Sequence, residues 1–343
     1  MFGIDIGVDL GTANVLVHVK GKGIVLDEPS VVAIDSQSKK VVAVGEEARR
    51  MLGRTPGHIV ATRPLREGVI ADFDTTEIML RHFIQKAIGK SPFKRLRVMI
   101  CVPSGITSVE QKAVVEAATR SGAKMVDLIT EPKAAAIGAG LDIYEPSGSM
   151  VVDIGGGTTD VALLSLGDIV TSSSIRVAGD KFDEAIIRYI KKEYSLLIGE
   201  RTAEDIKIQV VSVYPGARSA EMDIRGRDMI SGLPKTVTVR SEEMREALQE
   251  TVEMIVATTK QVLEITPPEL AADIFDKGIV LTGGGALLFG LDKLMMQELQ
   301  IPVHIANDPM SCVVKGTGMS LDYMTNVQKG SLFGKRQGTG SIS

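Results

Sequence analysis

Two short stretches of the chain repeat a pattern able to hold a charged phosphate. Asp9-Leu10-Gly11-Thr12-Ala13-Asn14 follows an apolar run near the N-terminus, and Asp153-Ile154-Gly155-Gly156-Gly157-Thr158 does so near mid-chain. A third turn, Gly283-Gly284-Gly285-Ala286-Leu287, follows the apolar run from Gly278 to Leu281. Turns with little or no side chain let backbone N–H groups reach phosphate oxygens, since no Cβ stands in the way. Thr12 and Thr158 add hydroxyl donors, and a helix starting at the third turn would offer its positive end to an anion. One such turn is weak evidence, because most are simply tight turns. Three after strands, two with Asp two residues before the glycine, form a far more specific pattern.

Asp9 and Asp153 are the paired carboxylates of this repeat. Opposed across a cleft, they suit a hydrated Mg²⁺, which keeps most of its waters and borrows only one or two carboxylates. Two acids that cap turns are the plain structural alternative. The chain has no Gly-x-x-x-x-Gly-Lys-Ser/Thr string and no Gly-x-Gly-x-x-Gly after its first strand. It is therefore neither a P-loop nor a Rossmann protein.

Hydrophobic periodicity outlines the elements that must hold these turns. Ile4 to Leu10 and Val15 to Val19 read as a hairpin with a small-residue tip. Ser30 to Ile34 and Lys40 to Val44 continue the β pattern. Asp74, three residues before Glu77, is expected to open a helix that ends near Gly89. Arg97 to Val102 reads as a buried strand. Thr107 or Ser108 caps the next helix, which sets Val109, Ala113 and Ala117 on one face and stops at Ser121-Gly122. Glu131-Pro132 opens a short alanine-rich helix reaching Gly140.

After Glu145-Pro146-Ser147-Gly148 the opening pattern starts again, with strands Met150 to Ile154 and Val161 to Leu166 around the turn Gly155 to Asp160. A repeat at roughly half the chain length predicts two similar domains facing each other. A long helix follows Ser241 and buries Met244, Leu248, Val252, Ile255, Thr259 and Val262, with Pro267 and Pro268 beyond its end. From Gln328 the tail is rich in Gly, Ser and Lys and is expected to be disordered.

Composition narrows the classes. The 343 residues suit two medium domains, and 44% hydrophobic with 24% charged residues is ordinary for a globular protein. A net charge of −4 gives no global pull toward nucleic acid or acidic lipid, so any membrane contact must be local. Tryptophan is absent and aromatics make up 4%, which argues against base-stacking platforms. Cys101 and Cys312 sit among apolar residues and read as buried thiols in a reducing compartment. The N-terminus carries two acids and no basic segment, unlike a signal peptide, and a cytoplasmic protein is expected.

These residues resemble the actin, Hsp70 and sugar-kinase superfamily. Asp9-Leu-Gly-Thr is similar to its first phosphate loop, Asp153-Ile-Gly-Gly-Gly-Thr to its second and Thr282-Gly-Gly-Gly-Ala to its adenosine loop. Within it the chain resembles the MreB/Mbl family, the Mbl branch above all, from about Ile4 to Asp322. Gly11-Thr-Ala-Asn, Glu131-Pro-Lys-Ala-Ala-Ala-Ile-Gly, Gly199-Glu-Arg-Thr-Ala-Glu and Ile224-Arg-Gly-Arg-Asp carry that resemblance.

The resemblance implies an α/β, actin-like (ribonuclease H-like) fold of two domains, with four subdomains around one nucleotide cleft. Domain I would take residues 1–144 plus 315–327 with an insert near 32–67, and domain II 145–314 with an insert near 181–245. ATP and Mg²⁺ are the implied cofactors. Asp9 and Asp153 would serve the metal, and Thr12, Ala13, Asn14, Gly155, Gly156, Gly157 and Thr158 the phosphates. Gly283, Gly284, Gly285, Ala286 and Leu287 would serve the adenosine, and Glu204, Asp205 and Lys207 the ribose and adenine. Without the family, Glu204 and Lys207 read as an exposed ion pair on one helix face. Glu131 and Thr158 would position the attacking water. Beside a helix start and Lys133, Glu131 is expected to stay ionised, a good acceptor but a weak base that suits a slow ATPase.

A sugar kinase of this fold is the alternative, but the chain offers no obvious base for an acceptor hydroxyl and no large sugar-enclosing insert. No β-sandwich follows the ATPase core, as an Hsp70 would require. What remains is a minimal nucleotide switch, and the resemblance implies that it builds paired head-to-tail protofilaments. The resemblance further implies contact with the inner face of the cytoplasmic membrane, cell-wall elongation membrane proteins as partners and no nucleic acid. Phe2 and the loop Ser91-Pro92-Phe93-Lys94-Arg95 are the expected membrane contacts, an apolar tip beside cations suited to anionic headgroups.

Overall fold

The computed structural model describes residues 3–89 and 95–321. Phe2, Pro92, Phe93 and the tail from 328 lie outside the described residues.

The sequence repeat becomes a structural one. The first sheet runs in the order Met125–Thr130, Leu96–Val102, Ile4–Leu10, Asn14–Val19, Gly23–Pro29. The second runs Val303–Ile305, Ile279–Thr282, Ser149–Ile154, Thr159–Ser165, Asp168–Ile175. In each, a central strand pairs antiparallel with the strand after its glycine turn and parallel with a strand from much later in the chain. Register then puts the two aspartates in equivalent places. Asp9 lies beside Cys101, and Asp153 beside Thr282. Ser149–Ile154 is buried throughout and Ile4–Leu10 at its middle, so Ile6, Val8, Val151, Val152 and Ile154 all lie in the core.

Each lobe carries a smaller sheet. In the first, Val32–Asp35 pairs with Val41–Val44 and Ile59–Thr62, with the helix Glu46–Met51 against them. In the second, Leu196–Leu197, Glu221–Asp228 and Pro234–Arg240 pair antiparallel beside the helices Gly179–Tyr194 and Glu200–Gln209.

The core is divided in the same way. One apolar cluster lies under each main sheet, and a third joins the lobes. There the helix Glu131–Gly138 buries Ala134, Ala135, Ala136 and Ile137 among Cys101 of the first sheet and Val151, Ala162 and Leu164 of the second. The helical stretch 312–321 crosses it with almost no space between backbones. A Cβ on Gly138 would come within 1.8 Å of the Cys312 carbonyl oxygen, and one on Gly316 within 1.8 Å of that of Ala134. Small residues are therefore obligatory where the chain passes between lobes. Both cysteines are buried and free.

Three local expectations need correction. The helix that ends at Gly89 spans Phe73–Ile88 and is capped by Asp72, whose Oδ1 accepts from the Thr75 N–H at 3.1 Å. Asp74 only lies in its first turn, and Glu77 pairs with Arg81 and Arg120. In the helix Ser108–Arg120, Thr107 and Glu110 form a reciprocal capping box, but Val109 is 75% exposed and the buried face is Val114, Ala117 and Ala118. The face was set by the sheet it covers and not by the first apolar residue. The third glycine turn leads into a four-residue 3-10 turn, Gly284–Leu287, so it offers no true helix N-terminus to an anion. The long helix Ser241–Glu264 buries all six expected residues.

Candidate functional site

The two hairpin tips meet. A Cβ on Gly156 would lie 2.8 Å from that of Ala13, and one on Gly157 would lie 2.5 Å from Thr12 Oγ1. Only glycine allows this approach. The third turn packs equally tightly on Ile154: a Cβ on Gly283 would lie 2.3 Å from its carbonyl oxygen, and one on Gly285 2.2 Å from its Cγ2. Thr12, Ala13, Asn14, Gly155, Gly156, Gly157 and Thr158 belong to the two tips that meet, with Thr12 and Thr158 buried. The third turn, Gly283, Gly284, Gly285, Ala286 and Leu287, packs on Ile154, buries Ala286 in the second-lobe core and leaves Leu287 exposed. Asn14 is partly committed, its amide donating to Asp27 Oδ1 at 2.7 Å.

Carboxylates gather at the base. Asp153 accepts from Thr282 Oγ1 at 2.7 Å, and Asp9 accepts from the Cys101 thiol at 3.3 Å. Burial raises Asp153 to about 7, with the charges of Asp160 and Asp9 adding to the effect. Burial likewise raises Asp9 to about 6. Glu131 is half-buried by surface area, and burial, then the charges of Asp160, Asp153 and Asp9, push it well above the usual carboxylate range. The expectation that Lys133 holds it ionised fails, because Lys133 reaches toward Asp168 at 3.9 Å.

Asp160 went unnoticed in the sequence. Its Oδ1 accepts from the Ser104 N–H at 2.8 Å and hydroxyl at 2.6 Å, and the side chains of Ser174 and Thr158 also help to offset the burial that raises it. Its register partner is Asp153, and the string Asp-x-Gly-Gly-Gly-Thr-x-Asp was the signal that could have found it.

This donor set fits a divalent cation. Among the described residues no three His, Cys, Asp or Glu side chains form an all-protein metal cage. One or two carboxylates backed by water and phosphate are the Mg²⁺ arrangement, and mutually repelling carboxylates are what a cation relieves.

The lobes are also joined by ions. Glu204 and Lys207 do not pair with each other. Glu204 is 3.1 Å from Arg49 of the first lobe's small subdomain, and Lys207 is 2.9 Å from Asp183. Asp205, next on the helix, is half-buried. Deeper in, Arg63 meets Asp180 at 3.4 Å. Arg49, Arg63, Asp180 and Asp183 had no sequence signal, since each partner is remote in the chain. A separate groove of about 820 Å³ runs along Ser241–Glu264 and is rimmed by Glu242, Glu246, Glu253 and Glu298. Its acidic rim does not suit a triphosphate.

Two topologically matched α/β lobes around a glycine-lined, carboxylate-floored cleft define the actin-like class of nucleotide-cleft proteins. Residues 3–329 match the MreB/Mbl protein family. The chain belongs to that family. It is 66% identical to the cell shape-determining protein Mbl of Bacillus subtilis (strain 168), over 97% of this chain and 100% of that protein. It superimposes on MreB 5 of Spiroplasma citri bound to AMPPNP with a TM-score of 0.91 and 41% identity, covering 96% of this chain and 99% of that one. The ADP-bound crystal structure of the same protein gives a TM-score of 0.90 at 42% identity, over 95% and 98% of the two chains.

Proposed function

We propose that this chain binds ATP with Mg²⁺ between its lobes, hydrolyses it slowly, and uses that cycle to polymerise into membrane-associated filaments that organise cell-wall synthesis and set rod shape. The observation that carries the reading is the crevice in which Asp9, Glu131, Asp153 and Asp160 repel one another beneath two abutting glycine hairpins. The nucleotide-bound relatives from Spiroplasma and the cell-shape relative from Bacillus support it.

Asp9 and Asp153 would hold the hydrated metal. When bound, Mg²⁺ supplies neutralising charge for the phosphates and for these carboxylates. The backbone N–H groups of Thr12 to Asn14 and Gly156 to Thr158 would cradle the phosphates, while the Gly155 N–H closes the second hairpin on the Thr158 carbonyl at 2.9 Å. Glu131 and Thr158 orient the attacking water, a task of positioning with little covalent chemistry. The turn Gly283 to Leu287 receives adenosine, and Glu204, Asp205 and Lys207 the ribose and adenine. That role asks Glu204 to release or share Arg49, and Lys207 to stay beside Asp183.

Domain I is taken as 1–144 plus 315–327 and domain II as 145–314. Closing on ATP would favour one head-to-tail contact, and contacts that do not close on themselves give open filaments. Phe2, Pro92 and Phe93 would meet the inner face of the cell membrane, with cell-wall elongation proteins as partners. Electron microscopy of purified protein with ATP·Mg²⁺ on lipid is the test. Ordered filaments are expected, and dispersed particles with sugar-dependent ADP release would replace this reading with that of a kinase.

A further inference from the structure

A tight hairpin of the first lobe, Leu65–Arg66 paired with Val69–Ile70, points its two-residue tip into the junction of the phosphate turns. Both tip residues have positive φ, 50° at Glu67 and 76° at Gly68. Such a turn favours Asn-Gly or Asp-Gly, and a longer side chain in the left-handed region is uncommon. A residue that costs local strain calls for a use of its side chain.

That use is visible. Glu67 Oε1 lies 3.4 Å from Lys181 Nζ, and its Oε2 lies 3.6 Å from Arg176 Nη1, both cations belonging to the second lobe. Arg176 also reaches Glu110 of the first lobe at 3.7 Å. Gly68 touches both phosphate turns. Its N–H donates to Thr12 Oγ1 at 3.1 Å, which leaves the Thr12 hydroxyl hydrogen free to donate elsewhere. A Cβ on Gly68 would lie 2.7 Å from Thr158 Cγ2, so the tip is wedged against that side chain as well.

We propose that Glu67 is a positioning residue for hydrolysis, which by pairing with Arg176 and Lys181 across the cleft holds Gly68 between Thr12 and Thr158. This rests on the ATPase reading above. In this role Glu67 acts through Gly68 and the two threonines that Gly68 contacts. Its ion pairs are half-exposed, with the Glu67 side chain 43% accessible. Pairs of that kind contribute little to stability, so the clasp can open in each cycle without unfolding the lobes.

The test compares Glu67→Asn with Glu67→Asp in single-turnover ATP hydrolysis, with ADP affinity measured alongside. Both substitutions suit the turn better than Glu, and they differ in charge alone. Glu67→Asn is expected to slow hydrolysis about tenfold with ADP affinity within about twofold of wild type, whereas Glu67→Asp keeps most of the rate. Glu67→Asn hydrolysing as fast as wild type, or losing ADP affinity in step with rate, would overturn the proposal. Wild type and Glu131→Gln are the references. Wild type that fails to hydrolyse ATP removes the ATPase reading itself, and the inference with it. Hydrolysis that stops in Glu131→Gln but is untouched in Glu67→Asn removes the inference alone.

Discussion

Asp9 and Asp153 are placed where a carboxylate is costly to ionise without a cation. Their values in the fold, about 6 and about 7, lie above the ordinary 3.8. Asp183 moves the same way, to about 6, chiefly through burial. A raised acid favours its protonated form on folding, so its stabilisation is complete at low pH and is lost as pH rises through the folded value. Groups shifted down, such as Glu28, Glu110 and Asp308, act only on stronger acidification. Metal-free protein should therefore melt at progressively lower temperature from about pH 5, above the range of the lowered groups, to about pH 7, where the highest of these folded values lies. Mg²⁺ should oppose that decline more strongly as pH rises, because more carboxylate is then ionised to receive it. Thermal unfolding in chelator and in Mg²⁺ across this range checks the expectation. A flat metal-free profile would mean that the carboxylates are not crowded as described, and Asp153→Asn should shrink both the decline and the Mg²⁺ effect.

Between the lobes, packing is decided by elements and not by single side chains. The helix Glu131–Gly138 and the stretch 312–321 touch backbone to backbone at Gly138 and Gly316. A methyl group at Gly316 would meet the Ala134 carbonyl, which cannot swing aside as a side chain can. Gly316→Ala should therefore cost about 3 kcal/mol, the upper end of overpacking. Gly57, with nothing within 4 Å of its would-be Cβ, should accept alanine within about 0.5 kcal/mol. Denaturant midpoints of the two variants decide it, and equal tolerance would refute the close crossing.

What the sequence made legible follows the same line. Strand runs, the doubled Asp-x-Gly turn and the buried stripe of Ser241–Glu264 are local periodicities, and each appears in the fold. The exposed Val109 and the charge of Glu131 depended on neighbours that no local window contains, whereas the Asp72 cap is local, its carboxylate accepting from Thr75 three residues on. Arg49 and Glu204 stand 155 residues apart, and only folding brings them together.

At the scale of the whole molecule, the net charge of −4 sets the terms for membrane contact. An acidic particle gains nothing from an anionic bilayer at long range, so attraction must come from a small apolar and basic patch. Among the described residues no helix is long and apolar enough to cross a membrane. Phe2 and Phe93, the latter beside Lys94 and Arg95, are the sequence's candidates for that patch, whereas Arg97 is largely buried in the first sheet and held by Asp127 at 2.9 Å. One or two phenylalanines would hold a single subunit only weakly, but a polymer would present the patch many times over, and linked weak contacts multiply. Membrane binding should then follow polymerisation and not precede it. Phe2→Ser combined with Phe93→Ser should lower co-sedimentation with anionic liposomes while leaving nucleotide affinity unchanged, because the cleft residues Asp9 to Asn14 and Asp153 to Thr158 are untouched. Unchanged sedimentation would exclude these residues as the contact. Sedimentation lost together with nucleotide affinity would mean that the substitutions had damaged the cleft.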